Sequence, residues 1–293
     1  MMHKLAIMAT ILLIMISLVS CSLKLQPVWQ EAAQNIPTTD SLRRLREAKV
    51  LFADAGESNS LKISIAAFES VLKENPGDYE ALALLSTQYI LLGTAYTENR
   101  RDKSKLFRKA MKYAELAMYT NLAFKNKVAD GTTPWDAADA LGVNELSAMY
   151  FWVIALQYEF KEVMSLPEKI VNVGWLQKAL AFLNRIEKID PEFGGGGVEF
   201  CKVICYYALP EFKGGSPKKG DEYMRKAVTK GSHWLLPIWA RGKYYYVIKN
   251  EPEKSRLDLQ WVAKQDLSKF QDPYPWRAHF QRDAQELLRN ESQ

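Results

Sequence analysis

Apolar residues recur along most of this chain at the three- and four-residue spacing of helices, and no stretch shows the strict alternation of a strand. Pro and Gly fall mainly between the periodic stretches, where they punctuate helices rather than interrupt them. The clearest unit runs from Leu61 to about Tyr119. Ile63, Ala66, Ala67, Val71 and Leu72 predict one apolar stripe, flanked by Phe68. That helix should stop at Glu74-Asn75-Pro76, because a proline disfavours α geometry in the residue before it. Asp78 is placed to cap the next helix, Tyr79 to about Tyr96. This helix is apolar on nearly all sides and must be covered on both flanks. Lys103 to Met118 follows, with Ala110, Ala114 and Ala117 permitting close approach of a neighbour.

The pattern resembles the tetratricopeptide repeat of paired antiparallel helices. Its second helix carries a small, a large and a small residue at relative positions 0, 4 and 7, then a proline at 12. Ser64, Phe68, Val71 and Pro76 hold those places, and Ala179, Leu183, Ile186 and Pro191 hold them again. Ala110, Ala114 and Ala117 match without the proline, and Gly220, Met224 and Ala227 match loosely. The first-helix residues are poorly kept and the spacing is irregular. The expected fold is therefore all-α, a degenerate tetratricopeptide-like helical-repeat array of antiparallel helix pairs over residues 40–290. Three polar or glycine-rich stretches interrupt it, at 120–143, 190–198 and 209–219, and are expected at one edge of the array.

The N-terminus follows different rules. Lys4 supplies a positive head, and no residue from Leu5 to Ser20 is charged. That run falls short of the roughly 20 residues a spanning helix needs but suits the apolar core of an export signal. Leu18-Val19-Ser20-Cys21 resembles the lipobox of bacterial lipoproteins, which implies cleavage before Cys21 and a diacylglyceryl group on its thiol. Two acyl chains give stable membrane anchoring. The division expected is a signal peptide at 1–20, a lipid-anchored tether at 21–39, with Thr39 or Asp40 capping the first long helix, and the helical body beyond. Ser22, where sorting to the inner membrane commonly uses Asp, favours the outer membrane, with the body in the periplasm.

Loss of residues 1–20 removes one Lys and no acid, so the formal charge falls from +5 to +4. Charges of both signs are interspersed, which argues against nucleic acid as a partner. Cys201 and Cys205 share one helical face in an apolar stretch, and packing as small hydrophobes suits them better than a disulfide or a metal site. Only His233 and His279 follow the signal, and neither sits in a recognisable nucleophile setting. Glu145 with Asp136 or Asp139 forms a carboxylate pair of the kind used on glycans, but such pairs are common on helix surfaces. Gly194–Gly197 lacks the Lys-Ser/Thr of a phosphate loop and reads as a flexible turn. No enzyme and no cofactor are expected.

Two aromatic groups stand out: Trp135, Tyr150, Phe151, Trp152, Tyr158 and Phe160, then Trp234, Trp239, Tyr244, Tyr245, Tyr246 and Trp261. They either fill gaps between irregularly stacked helices, or part of the first group lines a cleft with Trp135 and Asp136 at its mouth. On one helix Trp152 lies nearly in line with Glu145, while Tyr150 points elsewhere. The candidate ligand- or partner-binding residues are Trp135, Asp136, Glu145, Tyr150 and Trp152.

The lipobox, the helical body, the central Leu146–Trp152 segment and the run from Tyr206-Tyr207-Ala208-Leu209-Pro210 through Lys213-Gly214-Gly215-Ser216-Pro217 to Tyr223–Ala227 together resemble the T component of tripartite ATP-independent periplasmic (TRAP) transporters. The resemblance covers roughly residues 40–290. It implies a non-catalytic transport accessory that docks a periplasmic solute-binding protein, with a small hydrophobic or acidic ligand between them, and a homo-oligomer. The alternative is a tetratricopeptide-type scaffold lipoprotein for outer-membrane or pilus assembly, which needs only the repeat and the anchor.

Overall fold

The computed structural model describes residues 22–291, apart from Lys24; Cys21 and the signal peptide lie outside the described residues. Among the described residues the fold is all-α, without a strand. The first antiparallel pair is α1 (Thr39–Ala53) and α2 (Ser58–Glu74), and the second is α3 (Tyr79–Tyr96) and α4 (Arg100–Met118). The N-cap of α1 is Thr38, whose hydroxyl accepts from Ser41 N at 3.0 Å while the Ser41 hydroxyl accepts from Thr38 N at 2.9 Å. The helix α2 ends at Glu74 as Pro76 requires, and Asp78 caps α3 by accepting from Ala81 N at 2.9 Å.

The small and large residues at the repeat positions named above are buried, while Pro76 and Pro191 after them are exposed, which fixes the phase of each pair: Ser64, Phe68, Val71, Ala179, Leu183 and Ile186 are all fully enclosed. The apolar stripe expected along α2 is not the buried face. Ile63 is 51% exposed and Ala66 is exposed, whereas Leu61, Ser64, Ile65, Phe68 and Val71 face inward. Ser64 is admitted to the core because its hydroxyl donates to Gln88 Oε1 of α3 at 2.7 Å, leaving neither group unsatisfied. Counting apolar residues alone misses such a pair. As its all-round hydrophobicity requires, α3 is covered by α2, α4 and the central helix at Leu146–Tyr158.

After α4 the expected irregular stretch contains a short helix, α5 (Leu122–Ala129), capped by Asn121. Then come α6 (Leu146–Tyr158), α7 (Leu166–Asn172), α8 (Gly174–Ile189), α9 (Gly197–Ala208) and α10 (Pro217–Lys230). The C-terminal third holds α11 (Leu236–Ala240), α12 (Tyr246–Ile248), α13 (Pro252–Ala263) and α14 (Tyr274–Asn290). Neighbours in sequence pack in turn, α6 on α8, α8 on α9, α9 on α10 and α13 on α14.

The array then closes on itself, since α14 packs back on α1 and α3. Trp276 Nε1 donates to Thr87 Oγ1 at 3.0 Å, and Arg282 Nη2 donates to the Tyr96 hydroxyl at 2.6 Å. Two buried cores result, one built by α1–α9 and one by α9–α14, with space left between them.

The four-glycine run is a tight turn. Gly194, Gly195 and Gly196 have φ of 79°, 53° and 86°, a backbone path that side chains with a Cβ rarely adopt. A Cβ on Gly195 would overlap the Trp234 ring, and one on Gly196 would overlap the Ala227 carbonyl. These residues let the start of α9 pass directly beneath Trp234. The turn is a fixed close approach, which replaces the flexible link read from the sequence.

Candidate functional site

Between the two cores lies a cavity of about 900 Å³. Its wall is drawn from both cores: Phe52 and Leu84 from the first pairs, Tyr150 and Ile154 from α6, Ile204 from α9, Trp239 from α11 and Trp276 from α14. The space is a product of ring closure, because α14 supplies one side and α6 the opposite one. Two helices make a single π turn where they border it, at Glu159–Val163 after α6 and at Arg241–Tyr245 after α11. Such turns re-aim the side chains that follow, here Lys161 and Tyr244.

The polar groups of the wall are mostly engaged within the protein. Thr87 accepts from Trp276, and the Gln157 amide donates to the Cys201 carbonyl at 2.8 Å. Asp272 accepts from Leu235 N at 2.7 Å and Leu236 N at 3.3 Å, and burial raises its pKa to about 6. The Tyr150 hydroxyl, by contrast, makes no hydrogen bond among the described residues, and burial raises its pKa well above the ordinary value. What such a wall can do is hold an apolar molecule by contact and dispersion, with one phenol as a polar handle. Four lysines, Lys161, Lys169, Lys213 and Lys243, also line the cavity; Lys243 is paired with Asp283 at 2.7 Å.

The five candidate residues are dispersed. Tyr150 is buried and lines the cavity, edge-on to Phe193 at 5.8 Å between ring centres. Trp152 faces the other way, 3% exposed, against Phe182 at 5.2 Å and Trp175 at 6.4 Å. Trp135 is half-buried and meets Trp175 edge-on at 5.4 Å, with Lys178 Nζ 3.8 Å from the Trp135 ring and 3.6 Å from that of Trp175. Glu145 is 6% exposed and accepts from Gly142 N at 2.7 Å and Asn121 Nδ2 at 3.3 Å, so it ties α5 to the entry of α6. Asp136 is exposed and accepts from the Thr133 hydroxyl. Phe200, Trp239, Trp276 and Phe280 complete the cavity wall; the second aromatic group pointed to this region, but Trp276 and Phe280 carried no local signal.

The three interrupting stretches diverge as well. Phe193 and Gly194 from the second, and Pro210, Phe212 and Lys213 from the third, line the cavity, whereas the first packs by Trp135 on α8. Cys201 and Cys205 are free and buried; burial pushes the Cys201 thiol well up and the Cys205 thiol to about 12, so neither is a ready nucleophile. Among the described residues no group of three or more His, Cys, Asp or Glu could hold a metal ion, and no helix is long and apolar enough to cross a membrane.

Helix pairs closed around an apolar chamber define a helical-repeat body. The chain belongs to the TRAP transporter T-component family, whose model matches residues 58–293. That family is an accessory, non-catalytic component of TRAP transport, and its members are membrane-associated or periplasmic. A comparison with curated proteins finds no match.

Proposed function

We propose that this protein is a lipid-anchored periplasmic accessory of a TRAP-type transport system that docks the solute-binding protein and holds a small hydrophobic ligand in its central cavity. The observation that carries the reading is the cavity itself, about 900 Å³ with apolar walls drawn from both cores, in a chain of this family. A scaffold for outer-membrane or pilus assembly would need an exposed groove and no enclosed chamber. In this reading Tyr150 touches the ligand. Trp135 and Asp136, both accessible, belong to the docking surface, and Glu145 and Trp152 hold that surface in place from below.

The test is uptake of an apolar fluorophore such as 1-aminoanthracene by the mature protein. Ile154→Trp, which adds bulk to a partly buried position on the wall, should lower affinity at least tenfold while the thermal midpoint stays within a few degrees. Equal uptake by both proteins sinks the ligand reading. Docking is read separately, by retention of the solute-binding protein of the same transporter on immobilised mature protein; no retention in mild salt sinks that half.

A further inference from the structure

The mouth of the cavity is unlike the rest of the surface. Leu166 and Ile170 of α7, Phe212 of the third interrupting stretch, and Val247 and Ile248 of α12 all border the cavity, yet they are 71%, 67%, 84%, 63% and 56% exposed. Five large apolar side chains converging on one opening form a contiguous patch of the kind that soluble surfaces keep covered. Three lysines stand among them. Lys161, Lys169 and Lys213 border the same opening, and none of them pairs with a carboxylate among the described residues. Lys169 is held below its usual pKa by burial, then by Lys161 and Arg100. The positive groups therefore stand close enough to repel one another.

The helix α7 also receives the start of the described chain. Leu23 is 5% exposed, and its backbone N–H donates to Asn172 Oδ1, at the end of α7, at 2.6 Å. Ser22 and Leu23 lie in a polar recess with Arg100, Arg101 and Arg108. From Val28 onward the chain is tied to the body. Val28 N donates to Glu115 at 3.1 Å, Lys112 pairs with Glu31 at 2.6 Å, Lys125 donates to the Ala32 carbonyl at 2.8 Å, and Ile36 N donates to Asn75 at 2.9 Å. A lipid on Cys21 would begin one peptide bond from Ser22, beside the helix that forms one lip of the cavity.

We propose that the cavity mouth rests on the bilayer that carries the lipid of Cys21, with Leu166, Ile170, Phe212, Val247 and Ile248 among the headgroups and Lys161, Lys169 and Lys213 on lipid phosphates. An apolar ligand then passes between bilayer and cavity without crossing water. Apolar side chains ringed by cations are what an anionic lipid surface recognises. This rests on the acylation of Cys21 and on the ligand reading of the cavity.

The experiment uses the full acylated protein reconstituted in vesicles of phosphatidylethanolamine and phosphatidylglycerol, with a nitrobenzoxadiazole fluorophore on Phe212→Cys or, as the remote reference, on the exposed Ile63→Cys; the native Cys201 and Cys205 are buried. The label at 212 should shift to the blue and be quenched several-fold more by doxyl-labelled lipid than the label at 63. Lys161→Glu with Lys169→Glu should remove most of that difference, as should high salt. Equal quenching at the two positions overturns the proposal, and so does a blue shift at 212 that arises only on adding the solute-binding protein, which would make the mouth a protein dock. Uptake of 1-aminoanthracene by the same vesicle-bound chain is read in parallel. If uptake persists while position 212 stays in water, the membrane contact fails and the ligand reading stands.

Discussion

Trp135, Trp152, Trp175 and Phe182 form one aromatic group, and Trp239, Tyr244, Trp276 and Phe280 form another, yet the first is packed solid and the second borders an open space. Most of the first comes from α6 and α8, which pack directly against each other, so the rings interlock as soon as that pair forms. Lys178 closes its outer side by lying over two indoles. The second draws on α11, α14 and the π turn between α11 and α12, and its far wall is α6 and α9. Those helices are held apart by the Gly194–Gly197 turn on one side and by the Trp276–Thr87 closure on the other. Aromatic content alone does not distinguish core from pocket. Whether adjacent helices are free to collapse together does.

The largest effect that would test this contrast is truncation in the solid group. Trp152→Ala should cost about 3–5 kcal/mol, as expected for a buried Trp whose space cannot refill, whereas Trp234→Ala, half-buried on the cavity wall, should cost less than half as much. Denaturant midpoints of the two variants decide it; equal losses would mean that the cavity wall is as tightly packed as the core.

A smaller loss is expected at the spacer of the second group. Gly195→Ala forces a Cβ into a left-handed backbone position and against the Trp234 ring, and should cost about 2 kcal/mol. It should also weaken uptake of an apolar fluorophore, since Trp234 must move into the cavity. Unchanged stability and uptake would show that the glycine turn sets nothing.

The smallest effects concern pH, and they bear on the second group, which holds two titrations displaced within the acidic range. His279 touches Trp239 and Trp276, and burial lowers its pKa to about 3. Below pH 6.5 the unfolded chain binds a proton that the folded chain refuses, so stability falls as pH drops from 6.5 towards 3. Asp272, raised to about 6, acts oppositely: between about 4 and 6 the folded chain holds the extra proton, so stability falls as pH rises through that window. Asp272→Asn keeps an acceptor for Leu235 N, giving up the longer bond from Leu236 N, and should remove the second slope. Its thermal midpoint should then fall more steeply on acidification than that of the parent; parallel curves would assign the slope to other groups.

Much of the fold was legible in the sequence because helical repeats are local objects. The repeat positions from Ser64 to Val71 and from Ala179 to Ile186 gave the right buried faces, and Pro76 and Asp78 marked the right boundary. The stripe through Ile63 and Ala66 gave the wrong face, since the Ser64–Gln88 hydrogen bond lets a polar residue sit where apolar counting excludes it. The helix at Leu122–Ala129 was hidden by its polar surroundings. Of the five candidate residues, Tyr150 borders the cavity. The others were chosen for nearness in sequence to an aromatic run, and on a helix such nearness puts residues on different faces.

By itself the sequence determined the helices, their order, their pairing and the family, because apolar period, proline stops and repeat spacing act over one or two turns. The lipobox reading of Cys21 is an expectation of the sequence on a residue outside the described ones. Only the tertiary structure decided that the array closes, through Trp276 on Thr87 and Arg282 on Tyr96, groups more than 180 residues apart in the chain. The cavity exists for that reason alone. A space between two cores is a property of helices kept from touching, and no local run of residues encodes it.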